Sequence, residues 1–433
     1  MQILLGPILY TANQTSPTNW EFYVQVFLED DQSQDIPSRI SLKASEKDVQ
    51  VSAPVQGEKF FDSRSHQGSF WYWKLSVPRE EKPRRIGYQL RIGRAVARNV
   101  DDVCIPALGH LPATAFYSCN GVEAPSELNV LPDAQAVWKQ LQKEHKESGF
   151  NLLIGGGDQV YADFIFASNP TLKKIWQDTH EGKKKVVVDK ALQVELLDAY
   201  LGLYREVWNT SSVAGEVLAR IPMVCMWDDH DIIDGWGSHP EELQTSPLFK
   251  EIFAAARRTY LAIQVGPGAG LLAPKRGHLF QSFSYQGASC ELDIVLLDLR
   301  SCRTMTQVLG EEQWKDFDRW RLDYTKRPSG KKRHVVLVST IPVLHLRLRQ
   351  EAVAPADLVG LRDDLLDQWE APPHRGERAR LISDLVDLSR QSRASVTILA
   401  GDIHVGSWVR LTAHNSGQPD VTINQVVSSG IVH

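Results

Sequence analysis

The sequence predicts an α/β fold in two parts: an all-β region over residues 1–110, and a layered α/β domain over residues 111–433. Two observations predict it. Runs of alternating apolar and polar residues fill the first hundred positions, with turn residues between them and no helical pattern. From about residue 111, continuous apolar runs alternate with amphipathic helical patterns, as in sheets covered on both faces.

In the first part, WEFYVQVFLED, RISLKA, DVQVSAPV, SFWYWKLSVP and GYQLRIG read as half-buried strands. Their spacing suggests a small β-sandwich of roughly immunoglobulin-like build, with aromatics such as Trp71 and Trp73 in its core. In the second part, helical patterns cover 133–147, 191–208, 247–263, 311–324 and 374–391. Between them lie TAFYSC, FNLLIGGGD, IPMVCMWDDHD, LDIVLLDLRS, HVVLVST and SVTILAGDIH, which suit buried strands. KKKVVVDK and VGPGAGLL read as surface loops; the second resembles GxGxxG but has no βαβ setting for a dinucleotide.

A hydrophobic share of 42% and a chain of 433 residues allow a large core without a disulfide framework. The five cysteines are irregularly spaced, with no CxxC, which excludes a zinc ribbon and a disulfide scaffold. A net charge of −5 gives no reason to expect nucleic acid or an anionic membrane as partner. The N-terminal MQILLGPILYTANQ is broken by Gly and Pro and lacks a basic region, so it does not read as a signal peptide. No run approaches the ~20 apolar residues of a membrane span. The expected location is therefore the cytoplasm, with loss of a leader as the alternative. The chain stops at INQVVSSGIVH, a strand running into a loop, and reads as cut before its natural end. Its oligomeric state is not legible.

Polar clusters end several of the buried runs. FNLLI leads into GGGDQVYAD, IPMVCMW into DDHDIIDGW, IVLLD into LRS, and VTILA into GDIHVGSW. Ligands bind at the carboxyl ends of strands in α/β sheets. Asp158, Asp228, Asp229, Asp231, Asp402, His230 and His404 would be drawn together there. Taken singly, a strand-end Asp most often caps a helix, and a lone His is most often structural. Several carboxylates in one place, however, repel one another unless cations neutralise them. Carboxylate and imidazole suit Zn, Mn, Fe or Ca. Two metals ~3.5–4 Å apart fit hydrolysis of a phosphate ester by a metal-bound hydroxide. Tyr161 and Cys119 sit beside this set. Phenolate is a hard donor suited to ferric iron, and a thiolate could join it.

The ordered motifs SCN, GDQVY, WDDHD, LLDLRS, EEQW and GDIHVGSW resemble the PhoD-like (alkaline phosphatase D) metallophosphoesterase family, over roughly residue 110 to the end. An N-terminal β-sandwich is also a habit of that family. The resemblance implies a four-layer α/β/β/α metallophosphoesterase sandwich and a two-metal centre of Fe3+ and Ca2+, with Zn2+, Mn2+ or Mg2+ as alternatives. By motif, Cys119 and Tyr161 would hold ferric iron, Asp158 would bridge the metals, and Asp402 and His404 would complete the coordination. Either Asp228 or Asp229 would be a further ligand. His230 stands at the catalytic His position, and Asp231 and Arg300, the latter near the substrate phosphate, complete the expected catalytic group. The usual DxH opening motif is absent, with the Cys motif in its place. The implied activity is that of a phosphomonoesterase or phosphodiesterase acting on a small phosphate ester. The alternative is a non-catalytic phosphoesterase-like binding module.

Overall fold

A computed structural model of the chain describes residues 1–14, 16–29, 36–122, 130–267, 277–344 and 368–432. Part of the VGPGAGLL loop, from residue 268 on, lies outside them. Among the described residues, the first sheet has eight strands. In spatial order run Gln50–Val51, Gly68–Pro78, Asn19–Glu29, Ile3–Thr11, Met223–Met226, Leu152–Gly156 and Thr114–Tyr117, with Val55–Lys59 also paired to Gly68–Pro78. The second sheet has six, ordered Gln281–Gln286, Cys290–Leu296, Lys332–Val338, Ser395–Ala400, Gln418–Val427 and Ser407–Asn415. Ile40–Ala44, Arg84–Ile92 and Ala95–Ile105 form a separate three-stranded sheet.

The two large sheets face each other with helices outside, an α/β/β/α stack. Residues of Cys290–Leu296 show the layering, since side chains alternate between faces. Ile294 and Leu296 join a core shared with the first sheet, including Leu153 and Met226. Val295 joins a second core with Phe317 of helix Glu311–Lys326 and Leu381 of helix Arg375–Ser392. Burial on both faces is why these strands read as continuous apolar runs. Trp71 and Trp73 are buried in the core, as predicted. The expected helices appear as Ala136–Ser148, Lys190–Val207, Pro247–Tyr260, Glu311–Lys326 and Arg375–Ser392. The third of these stops short of its pattern and continues as a π-helical turn, Leu261–Val265. No described helix is long and apolar enough to cross a membrane.

The N-terminal region is mostly β and divided between two sheets, with one short helix, Ile36–Arg39, that the sequence did not signal, and the change of pattern near residue 110 is not a break in the sheet. Ile3–Thr11 lies in the middle of the first sheet, parallel to Met223–Met226 and antiparallel to Asn19–Glu29. Leu5 to Thr11 are buried on both faces, so the strand carries no alternation. One continuous core joins Leu9, Phe22 and Trp73 to Leu153, Tyr200 and Ile252.

Candidate metal centre

Thr114–Tyr117, Leu152–Gly156 and Met223–Met226 are parallel neighbours, so their carboxyl ends emerge together. Ser395–Ala400 brings a fourth end across from the second sheet, where the Gly401 amide donates to the Thr340 carbonyl at 2.7 Å. The turn after each strand is tight. Cys119, Asp158, Asp402 and His404 have φ of 54°, 54°, 66° and 55°, four of the six non-glycine residues at positive φ among the described residues. Each such placement costs about 1–3 kcal/mol, so the surroundings must impose it. Gly157, with φ 102°, is needed for another reason: a Cβ there would lie 2.8 Å from Cβ of Asp228. Glycine is what lets the Asp158 and Asp228 turns approach.

Buried scaffolding holds these turns. Trp227 donates its indole N–H to Asp298 Oδ1 at 2.8 Å, and the same carboxylate accepts from the amides of Leu279, Arg300 and Ser301. Asp231 Oδ1 accepts from the amides of Gln159 (3.0 Å) and Val160 (3.1 Å), and its Oδ2 accepts from the amide of Asp228 (2.9 Å). Burial pushes the Asp231 carboxyl up to about 7 despite these donors. Arg300 is fully buried and forks onto Asp228 through Nε and onto Asp229 Oδ1 through a terminal nitrogen at 3.1 Å. Its other terminal nitrogen donates to the Trp236 carbonyl at 3.1 Å.

Above this floor, carboxylate oxygens of Asp158, Asp228 and Asp229 lie within 4.8 Å of one another, all buried. Asp158 Oδ1 is buried with no hydrogen-bond partner among the described residues. Cys119 Sγ donates to Asp158 Oδ2 at 3.6 Å. The Tyr161 hydroxyl meets His404 Nε2 at 2.9 Å. Asp402 Oδ2 accepts from the Gln368 amide at 2.8 Å, and Asp402 also bears on Cys119 electrostatically. Burial, then neighbouring acids, push Asp158 well above the usual carboxylate range, with His230 acting the other way. Burial raises the Cys119 thiol and the Tyr161 phenol, and Asp158 adds to both. Each group resists its anionic form because negative charge is crowded in a dry place, and a cation removes that obstacle. The orphaned Asp158 oxygen and this donor set fit a metal.

His230 stacks on the Tyr161 ring with centroids 4.2 Å apart and 25° between planes. Its Nδ1 donates to Asp163 Oδ2 at 2.6 Å, and Asp163 Oδ1 accepts from the Asp234 amide at 3.1 Å. Burial alone would lower the His230 pKa, but Asp163, Asp229 and Asp158 raise it well above the ordinary imidazole value. Asp163 thus fixes the orientation of the ring.

A family model described as "PhoD related phosphatase" matches residues 121–357, more than half of the chain. The chain belongs to the PhoD-related phosphatase family. A solved structure of PhoD is similar over 98% of this chain and 77% of its own, with a TM-score of 0.59 at 14% identity, which shows a shared fold. An uncharacterized protein of Saccharomyces cerevisiae is 24% identical over 438 residues, covering 86% of this chain. The chain spans 61% of that relative's length.

In this PhoD-related chain, Cys119, Asp158, Tyr161, Asp228, Asp229, His230, Asp402 and His404 do converge. Asp228 and Asp229 are both within the carboxylate cluster, and both pair with Arg300. Asp231 and Arg300 lie in the floor: the first is engaged by backbone amides, and the second, fully buried, supplies counter-charge to the aspartates. Asp163 has a functional place that its sequence position hides, since an acid opening a helix ordinarily reads as a favourable first-turn charge. Gln368 also reaches the centre, donating to Asp402 from 34 positions away. Another cluster, Asp102, Cys104 and His145, lies apart from this centre. There, both His145 ring nitrogens are engaged, by the Asp102 carbonyl and the Phe150 amide, so it reads as structural.

Proposed function

We propose that this chain is a phosphoric ester hydrolase working through a two-metal centre on a small phosphate ester, mono- or diester. The observation that carries the reading is the Asp158–Asp228–Asp229 cluster, in which the buried Asp158 Oδ1 has no hydrogen-bond partner among the described residues. Bound metal ions would polarise the phosphoryl oxygens and lower the pKa of an attacking water. Asp158, Asp228, Asp229, Asp402 and His404 would hold them. Cys119 and Tyr161 beside Asp158 favour ferric iron at one position, with a hard divalent ion such as Ca2+ at the other. His230, oriented by Asp163, would protonate the leaving oxygen. Elemental analysis of the purified protein, with chromogenic phosphate mono- and diesters as substrates, tests this. Metal should be present, and Asp158→Asn should abolish turnover while the fold persists. A folded Asp158→Asn variant with full activity would refute the reading.

A further inference from the structure

A line of buried polar contacts runs from the N-terminal strands to the metal-site turns. It passes through the π-helical turn Leu261–Val265, which follows helix Pro247–Tyr260. Such a turn disturbs the regular backbone ladder and often marks a functional site. Two of its carbonyls find partners on the N-terminal strands. Tyr10 donates its hydroxyl to the Ile263 carbonyl, and Gln25 donates its amide to the Ala262 carbonyl at 2.9 Å. Gln25 also donates to the Tyr10 hydroxyl at 3.2 Å. Held in this way, the turn points Gln264 inward. The Gln264 amide donates to the Tyr204 hydroxyl at 2.8 Å and to Asp231 Oδ1 at 2.7 Å. Asp231 in turn binds the amides of Gln159 and Val160 on one side and of Asp228 on the other. One carboxylate therefore joins the turn carrying Asp158 to the turn carrying Asp228 and Asp229.

We propose that the N-terminal strands set the spacing of the metal-site carboxylates through this π turn, with Gln264 as the positioning residue that holds Asp231. Simple packing does not account for the choice of side chain. Gln264 is fully buried, and its Oε1 has no hydrogen-bond partner among the described residues. An apolar residue would avoid that desolvation penalty and fill the same space. The amide is retained at a cost, and what it contributes is a directed donor to Asp231. The consequence for metal binding rests on the phosphoesterase reading above, whereas the consequence for the turns does not.

The test uses the full chain and two readouts: hydrogen exchange at the amides of Gln159, Val160 and Asp228 in metal-free protein, and Zn2+ affinity by chelator competition. Three variants are compared: Gln264→Leu, the double variant Tyr10→Phe with Gln25→Leu, and Leu196→Ala as a packing control in the fully buried face of Lys190–Val207. Gln264→Leu and the double variant should speed exchange at those three amides beyond any change in Leu196→Ala. They should also weaken Zn2+ binding roughly ten- to a hundredfold, the usual effect of losing a ligand's supporting partner. Exchange at these amides no faster than in Leu196→Ala, in both test variants, overturns the proposal. If Gln264→Leu does not fold, the double variant carries the same comparison. A wild-type chain that binds no metal overturns the metal-centre reading, and the exchange comparison still decides the role of Gln264.

Discussion

Arg300→Met removes a fully buried cation from two buried carboxylates, Asp228 and Asp229, while keeping most of the side-chain volume. What remains is like charge in a low-dielectric floor, together with a Trp236 carbonyl that has lost a donor. Breaking a buried ion pair from one side typically costs about 3–5 kcal/mol. At about 2 cal/mol/K of unfolding entropy per residue, that cost lowers the midpoint of this chain by roughly 3–6 °C. Scanning calorimetry on metal-free protein measures it directly. Arg300→Lys should fall between wild type and Arg300→Met, because it restores charge but not the fork that reaches both carboxylates. Added Zn2+ should raise the midpoint of Arg300→Met more than that of wild type, since the cation supplies the missing counter-charge. A metal-free Arg300→Met variant melting within about 1 °C of wild type, well inside that expected fall, would refute the counter-charge argument. So would an Arg300→Lys variant as unstable as Arg300→Met.

Three other perturbations separate parts of the same picture. Asp163→Asn should lower kcat roughly 10- to 100-fold with little change in KM, because it disorients His230 without touching the carboxylate cluster; steady-state kinetics on a chromogenic phosphate ester showing an unchanged kcat would count against the assigned role. Gly157→Ala should destabilise by at least about 1–3 kcal/mol, given φ 102° and the 2.8 Å approach to Asp228, and should lower metal content by elemental analysis; a variant with full metal content contradicts the close-approach argument. Burial, followed by Arg85 and Arg220, depresses His145 from an ordinary 6.5 to about 4. The unfolded chain then binds more protons between those values, so this contribution to stability is full above pH 6.5 and is lost as pH falls towards 4. Urea midpoints across that window should show the loss in wild type and a smaller slope in His145→Gln.

Where the sequence could be read, the information was local. Alternating residues in SFWYWKLSVP mark a strand, and continuous apolar runs such as IPMVCMW mark strands covered on both faces. The convergence of Asp158, Asp228, Asp402 and their neighbours was legible because each follows a buried run in a parallel arrangement, where carboxyl ends share one side. Asp163 was not legible, because an acid at a helix start has an ordinary explanation that only the 2.6 Å contact to His230 displaces. Arg300 looked like a phosphate ligand because nothing in LDLRS records burial, and its ion pairs close over a separation of 71 and 72 residues.

Periodicity and residue type were enough for the α/β class, for the long helices and the buried runs named above, and for a candidate set of metal-binding side chains; Ile3–Thr11, buried along most of its length, was not read as a strand, and helix Ile36–Arg39 interrupts the β start. Periodicity encodes which side of an element is buried, and residue type encodes what it can bind. The tertiary structure alone decided which groups those residues meet. It put Ile3–Thr11 at the centre of the first sheet, turned Arg300 into a counter-charge beneath the site, and carried Gln25 to a carbonyl 237 positions away in the π turn that aims Gln264. Such partners are chosen by packing between distant segments, where the cost of an unpaired buried polar group fixes the match, and no local pattern carries that information.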